Sequence, residues 1–339
     1  MTRRLGAALA LFAALALLVA ATGCGAKHDD TGRPAGKHFD VVLDYFPNAD
    51  HVGLYAAMDQ GQFRAVGLDV RPRTPPDPAA PLKLLLAGKA DVAISYEPEL
   101  LLALDHGAQL VSIGAIVQKP LTALMSAGSP RLTSPAQLRG KSVGTAGIPY
   151  QAAYLTTILK RAGVPPASVK RVDVGFDLVP AMLSGRVAAT LGAFWNYEGV
   201  QLARQGKSPS ILRMERLGVP TYNELIVVAR RSDLAGRGSD MRRFLAALGR
   251  GYQLARTDPA RAVDSLVKAN PDLDRGLQLA SVKATLPVFF PTDRSKPFGW
   301  QDPRAWGAYG AWMLRNRLLQ RPPDASRALT NEFLPGEGA

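Results

Sequence analysis

One cysteine, Cys24, is all the thiol chemistry this 339-residue chain carries. Neither an intrachain disulfide framework nor a thiolate metal cluster can be built from it. Histidine is nearly as scarce. His28, His38, His51 and His106 stand apart, without the close spacing of a zinc-binding set, so no metal and no cofactor is expected. Acidic residues are in deficit, 28 against 41 Lys and Arg, for a net charge of +13. The arginines fall singly along the chain, and the aromatic share is only 7%, so there is no basic stripe interleaved with aromatics and no nucleic-acid partner is expected. What is present is an ordinary globular composition, 47% hydrophobic and 20% charged, in a length that suits two domains.

The only long apolar run is at the start. Arg3 and Arg4 precede the apolar stretch Leu5–Ala21, and Ala21-Thr22-Gly23-Cys24 follows. Positive charge, apolar run and small residues in that order are the layout of a secretory signal. The cysteine directly after the small residues resembles a bacterial lipobox, with Ala21 where Leu is usual. Residues 1–23 are then a signal peptide, and Cys24 carries a lipid that anchors an extracytoplasmic protein to the cell membrane. The rival reading is an uncleaved anchor with an incidental cysteine. Residues 24–38 are polar, with three glycines and a proline, and read as a flexible tether. Cleavage would leave 39 basic residues against 28 acidic ones, a charge that suits solubility beside an anionic membrane.

From Phe39 onward strand-like and helix-like segments alternate. Strands are expected at Phe39–Leu43, Leu68–Arg71, Val92–Ser95, Gln109–Val117 and Leu121–Ser126, with helices over His51–Gln60, Pro81–Ala87 and Pro98–His106. A second unit opens at Ser134-Pro135, with strands Lys141–Gly144, Val169–Val174 and Val187–Ala193 and helices Tyr150–Arg161 and Leu178–Ser184. The β-prone run Glu224–Ala229 leads back to the first unit. Helices are expected over Met241–Thr257, Pro259–Ala269, Leu273–Thr285 and Pro303–Leu319. Such alternation implies α/β domains with parallel-rich sheets, and ligands then sit beyond the carboxyl ends of the strands.

Four strand-to-helix turns carry the chemistry. Asp44-Tyr45-Phe46-Pro47-Asn48-Ala49-Asp50-His51 puts aromatics, carboxylates, an amide and an imidazole in one turn. Tyr96 follows the next such strand. Gly144-Thr145-Ala146-Gly147 precedes the helix that Tyr150 opens, and Phe194-Trp195-Asn196-Tyr197-Glu198 follows a fourth strand. Local aromatic concentration of this kind suits stacking on a flat ring. Alternatives stay open at each turn. Tyr45 and Phe46 either stack on a ligand or plug the core, and His51 either acts on a ligand or holds the helix start. Gly147 either exposes helix N–H groups to an oxygen or makes a tight turn, because the Gly-Lys-Ser/Thr ending of a P-loop is missing. Trp195, Asn196 and Glu198 read as ligand-facing.

These residues resemble a known family. Leu43 to Ala57 (LDYFPNADHVGLYAA), Val174 to Gly185 (VGFDLVPAMLSG) and Gly192 to Gly199 (GAFWNYEG) are similar to the thiamin-pyrimidine-precursor binding proteins. These are extracytoplasmic receptors of ABC importers, related to pyrimidine synthases. Gly61 to Val70, Leu86 to Tyr96 and Ser134 to Gly144 are further matches, and the first two are shared with sulfonate and nitrate receptors as well. The resemblance implies a two-lobed periplasmic-binding-protein clamshell of type II. Lobe 1 would be 39–125 plus 224–339, and lobe 2 would be 126–223. It implies a binding site at Asp44, Tyr45, Phe46, Asn48, His51, Tyr96, Gly147, Tyr150, Trp195, Asn196, Glu198 and Tyr222, with Glu198 facing an aminopyrimidine edge. Asp177 stands where Asn is common, and Ala188 where Asp is frequent. The implied partners are a small heterocycle such as a formylaminopyrimidine or hydroxymethylpyrimidine, an ABC permease and its ATPase subunit, and the membrane through the lipid; the protein is expected to be a monomer. Riboflavin and a sulfonate- or nitrate-type anion are alternative ligands. No catalytic residue is expected. The synthases carry a cysteine-rich run before the returning strand, where this chain has Gly218–Asn223 without cysteine.

Overall fold

A computed structural model describes residues 36–128 and 130–337. The signal-like run and Cys24 lie outside the described residues. Among the described residues no helix is long and apolar enough to cross a membrane.

Ten strands form two sheets of five. The strands are β1 (Lys37–Val42), β2 (Leu68–Arg73), β3 (Val92–Ser95), β4 (Leu110–Val117), β5 (Thr122–Ser126), β6 (Ser142–Thr145), β7 (Lys170–Asp173), β8 (Ala189–Phe194), β9 (Ser210–Arg213) and β10 (Leu225–Arg230). The first sheet has the order β2-β1-β3-β10-β4 and the second β7-β6-β8-β5-β9. In each, four strands run one way and the fourth position in the order runs against them. That reversed strand is the one arriving from the other sheet: β5 follows β4, and β10 follows β9. Every residue of β4 is buried, and β10 is buried from Leu225 to Ala229, as near-continuous apolar runs require when helices cover both faces.

Several expectations are corrected. The segment Thr122–Ser126, placed at the end of the first lobe, pairs with β8 and β9 and so belongs to the second sheet. Strand β9 and the helix Glu198–Arg204 carried too short an apolar period to be read. The helix expected from Met241 starts at Asp233, although Gly236 and Gly238 weaken its local propensity. Packing overrides that weakness: Phe333 lies against Gly238, and Asp240 is bridged by Lys37, Arg237 and Arg243. The helix expected over Leu273–Thr285 runs from Arg275 to Phe289, and the one from Pro303 ends at Arg315.

Two crossovers, 118–121 and 214–224, join the sheets, and one side chain ties them together. Glu224, buried at the end of the return crossover, accepts hydrogen bonds from the backbone N–H of Leu121 (2.6 Å) and Thr122 (2.8 Å) and from the Thr122 hydroxyl (2.9 Å). Burial raises its carboxyl to about 7. Both crossovers therefore meet at Glu224, and the turns after β1, β3, β6 and β8 line the cleft between the sheets.

Candidate functional site

Every turn that follows the inner parallel strands reaches one cavity. Asp44, Tyr45 and Asn48 come from the turn after β1, Tyr96 from the end of β3, Ala146 and Ile148 from the turn after β6, and Phe194, Tyr197 and Glu198 from the end of β8. The space between these groups is about 380 Å³ with its open mouth counted in.

Its polar groups are preset by the residues behind them. Asp44 accepts from His51 Nε2 through Oδ1 and from the Tyr96 hydroxyl through Oδ2, both at 2.8 Å. The Asn48 backbone N–H donates to His51 Nδ1 (3.2 Å), which leaves the ring hydrogen on Nε2, aimed at Asp44. Asn48 itself caps the short turn Ala49–His51, accepting from the Asp50 N–H at 2.8 Å. Across the cavity, Glu198 accepts from the Phe194 N–H at 2.7 Å, and burial raises its carboxyl to about 7. Gln151 accepts from the Ala146 N–H at 2.8 Å through Oε1, which leaves its NH₂ turned along Gly192. A Cβ on Gly192 would stand 2.6 Å from that NH₂, at φ +130°, so only glycine gives the amide this room.

The mouth is closed by contacts between the lobes. The Tyr45 hydroxyl donates to the Phe176 carbonyl at 2.6 Å, and the rings of Tyr45 and Phe46 pack on Phe176 at 4.7 and 4.3 Å. Phe46 is about half exposed on the outer side of this contact.

Asp44, Tyr45, Asn48, Tyr96 and Glu198 thus meet in the cavity, whereas the other expected residues stand elsewhere. Trp195 is turned away: its indole N–H donates to the Pro120 carbonyl at 3.0 Å, and Arg213 covers its ring at 4.0 Å. His51 and Asn196 are fully buried behind the lining. Gly147 makes a tight turn at φ +79°, where a Cβ would meet the Asp173 carboxylate at 2.5 Å. Tyr150 backs Tyr96, with ring centres 5.6 Å apart, and Tyr222 donates to Glu224 at the hinge (3.2 Å). After β8 the chain leaves extended geometry, so strand alternation no longer says which of Trp195, Asn196, Tyr197 and Glu198 faces inward. Tyr197, named within the Phe194–Glu198 turn, does line the cavity, whereas Gln151 and Phe176 carried no sequence signal, since they reach the cavity or its mouth only through helix and loop placement.

Among the described lining residues there is no Lys or Arg, and there are two carboxyl groups. The arrangement offers acceptors, one amide donor and aromatic faces. It suits a neutral or weakly basic ring carrying N–H donors.

A profile described as NMT1/THI5 like matches residues 48–262. The chain is 31% identical over 296 residues to the formylaminopyrimidine-binding protein of Halalkalibacterium halodurans, covering 86% of this chain and 89% of that one. It is 34% identical over 254 residues to a Haemophilus influenzae protein named for thiamine biosynthesis, covering 75% and 80%. A yeast 4-amino-5-hydroxymethyl-2-methylpyrimidine phosphate synthase is 23% identical over 307 residues, 86% of each chain. Among solved structures, the alkanesulfonate-binding protein SsuA of Xanthomonas axonopodis pv. citri superposes with a TM-score of 0.67 at 18% identity, covering 88% of this chain and 99% of that one, a likeness of fold.

Proposed function

The chain belongs to the NMT1/THI5-like family, and from that premise we propose that it is the substrate-binding protein of an ABC importer and captures an aminopyrimidine precursor of thiamin. The observation that carries the reading is the cavity's polarity: two carboxyls, Asp44 and Glu198, face aromatic walls with no cationic side chain among the described lining residues. A formylaminopyrimidine presents an amino group and a ring nitrogen on one edge, and a carboxyl group complements that edge with one acceptor and one shared proton. Tyr45, Tyr96, Phe194 and Tyr197 supply faces for the ring. Binding and lobe closure need no bond chemistry, so the protein acts as a receptor and not as a synthase. This accords with the cysteine-free segment Gly218–Asn223. In this reading Cys24 holds the monomer at the outer face of the membrane, and a permease with its ATPase subunit receives the cargo.

An anionic sulfonate fits poorly. The Ala146 N–H that it would use is already taken by Gln151, and two carboxyls would repel it. Thermal unfolding of the full chain with formylaminopyrimidine, riboflavin or taurine tests this directly. A ligand at 100 times its Kd adds about 2.7 kcal/mol of stability, and formylaminopyrimidine alone is expected to do so. A shift with taurine alone would overturn the reading.

Trp195 supplies a second check. Trp195→Ala is expected to leave the formylaminopyrimidine Kd within about threefold, because the ring lies outside the cavity. It should lower stability by about 1–3 kcal/mol through the lost hydrogen bond and cation–π contact. Calorimetric titration paired with chemical unfolding separates the two effects. A large loss of affinity at unchanged stability would put Trp195 back in the site.

A further inference from the structure

We propose that Asp50 stands in this structure as a neutral carboxylic acid whose O–H completes a hydrogen-bonded pair with the Asn196 amide, and that this pair is a pH-sensitive latch between the two lobes. Asp50 lies in the turn after β1, of the first sheet, and Asn196 in the turn after β8, of the second. Both are buried. Asn196 Nδ2 donates to Asp50 Oδ1 at 2.7 Å and lies 2.7 Å from the Thr285 hydroxyl. The second oxygens of the same two groups, Asp50 Oδ2 and Asn196 Oδ1, are both buried without a partner.

An ionised Asp has no donor, and an Asn carbonyl has none either. Two orphaned acceptors in a dry seam cost the full desolvation of each. A single proton on Asp50 Oδ2 supplies the missing donor and removes the buried charge at once. Burial is the largest influence raising the Asp50 carboxyl well above its ordinary range, followed by the Asp44 carboxyl; the Asn196 N–H works against them, and Glu198 and Glu224 add to the rise, so the balance still favours the neutral acid. His51, next in the chain, is committed to Asp44 and to the Asn48 N–H. The remaining groups packed on the turn are uncharged: Tyr252 donates to the Asp50 carbonyl at 2.5 Å, and Thr285 lies 3.4 Å from Oδ1. When the lobes part, both groups meet water and Asp50 ionises as an exposed carboxyl does, so closure takes up a proton at neutral pH. The latch does not depend on which ligand fills the cavity.

Infrared spectroscopy of the full chain labelled with ¹³C in its aspartate carboxyls, in the wild type and in Asp50→Asn, tests the assignment. The expected result is a protonated-carboxyl carbonyl band at neutral pH, shifted by deuteration and absent from Asp50→Asn. Thermal or chemical unfolding as a function of pH is the companion readout. Asn at position 50 offers an N–H to the Asn196 carbonyl but cannot titrate. Between about pH 5 and the folded-state value of Asp50, the wild-type unfolding constant should rise up to tenfold more per pH unit than that of Asp50→Asn. Absence of the band, or parallel pH profiles, would overturn the proposal. So would wild-type stability that collapses when sodium and potassium are replaced by choline, since a bound cation would then occupy the seam.

Discussion

Replacing Glu198 by Leu is expected to weaken formylaminopyrimidine binding by about 100- to 1,000-fold, while Glu198→Gln keeps most of the affinity and loses its pH dependence. Glu198 is buried in the cavity wall and anchored through the Phe194 N–H, so its carboxyl is held in one orientation on the cavity side. Leu leaves the ligand's amino group and ring nitrogen unpaired in a desolvated site, a loss of about 3–4 kcal/mol, with 1.4 kcal/mol for each factor of ten. Gln offers the same acceptor-and-donor edge without a proton to lose. The sign of the pH effect follows from burial, which raises the Glu198 carboxyl to about 7. Below that value the wild-type pair holds the proton it shares with the ring, and above it affinity should fall by up to tenfold per pH unit. The same raised value acts on folding. Its contribution is fully present below the ordinary glutamate range and is lost as pH rises through about 7. Calorimetric titration from about pH 5 to 9 measures the binding arm. Equal pH profiles for wild type and Glu198→Gln would remove Glu198 from the recognition edge.

Gly251→Ala is expected to destabilise the protein by about 3 kcal/mol or more, a far larger effect than a methyl group on a helix surface. The helices Val52–Asp59 and Asp233–Thr257 cross at Gly53 and Gly251, where a Cβ on Gly251 would stand 1.9 Å from the Gly53 carbonyl oxygen. A backbone carbonyl cannot rotate away as a side chain can, so the helices must separate and the surrounding core must repack. The next residue, Tyr252, packs on Gly53 and donates to the Asp50 carbonyl, so separation also loosens the turn that carries Asp44 and Tyr45. Gly236→Ala in the same helix is the control. Nothing lies within 4 Å of its Cβ, and it should gain up to about 1 kcal/mol from helix propensity. Chemical unfolding of both variants decides the matter; equal shifts would mean that the close approach is not what holds these helices.

Sequence by itself determined most of the order of strands and helices, β9 and the helix Glu198–Arg204 excepted, and the turns that line the cavity. Val, Ile and Leu runs such as Leu225–Ala229 and the residues around Gly61 and Gly88 act locally, through alternation, propensity and turn chemistry, and those forces need no distant partner. The aromatic and polar content of the turns after β1 and β8 likewise singled out turns that line the cavity. Only the tertiary structure decided which of those side chains face the cavity. Trp195 turns to Pro120 and Arg213, while Tyr197 and Glu198 turn inward; Asp50 and Asn196 find each other across 146 positions of chain. Tertiary pairing also moved Thr122–Ser126 into the second sheet, where Glu224 of the return crossover anchors its first residue. The physical reason is that orientation at a turn and pairing across a seam are chosen by desolvation and hydrogen-bond satisfaction among groups far apart in the chain. Those costs exist only once the two lobes have been brought together.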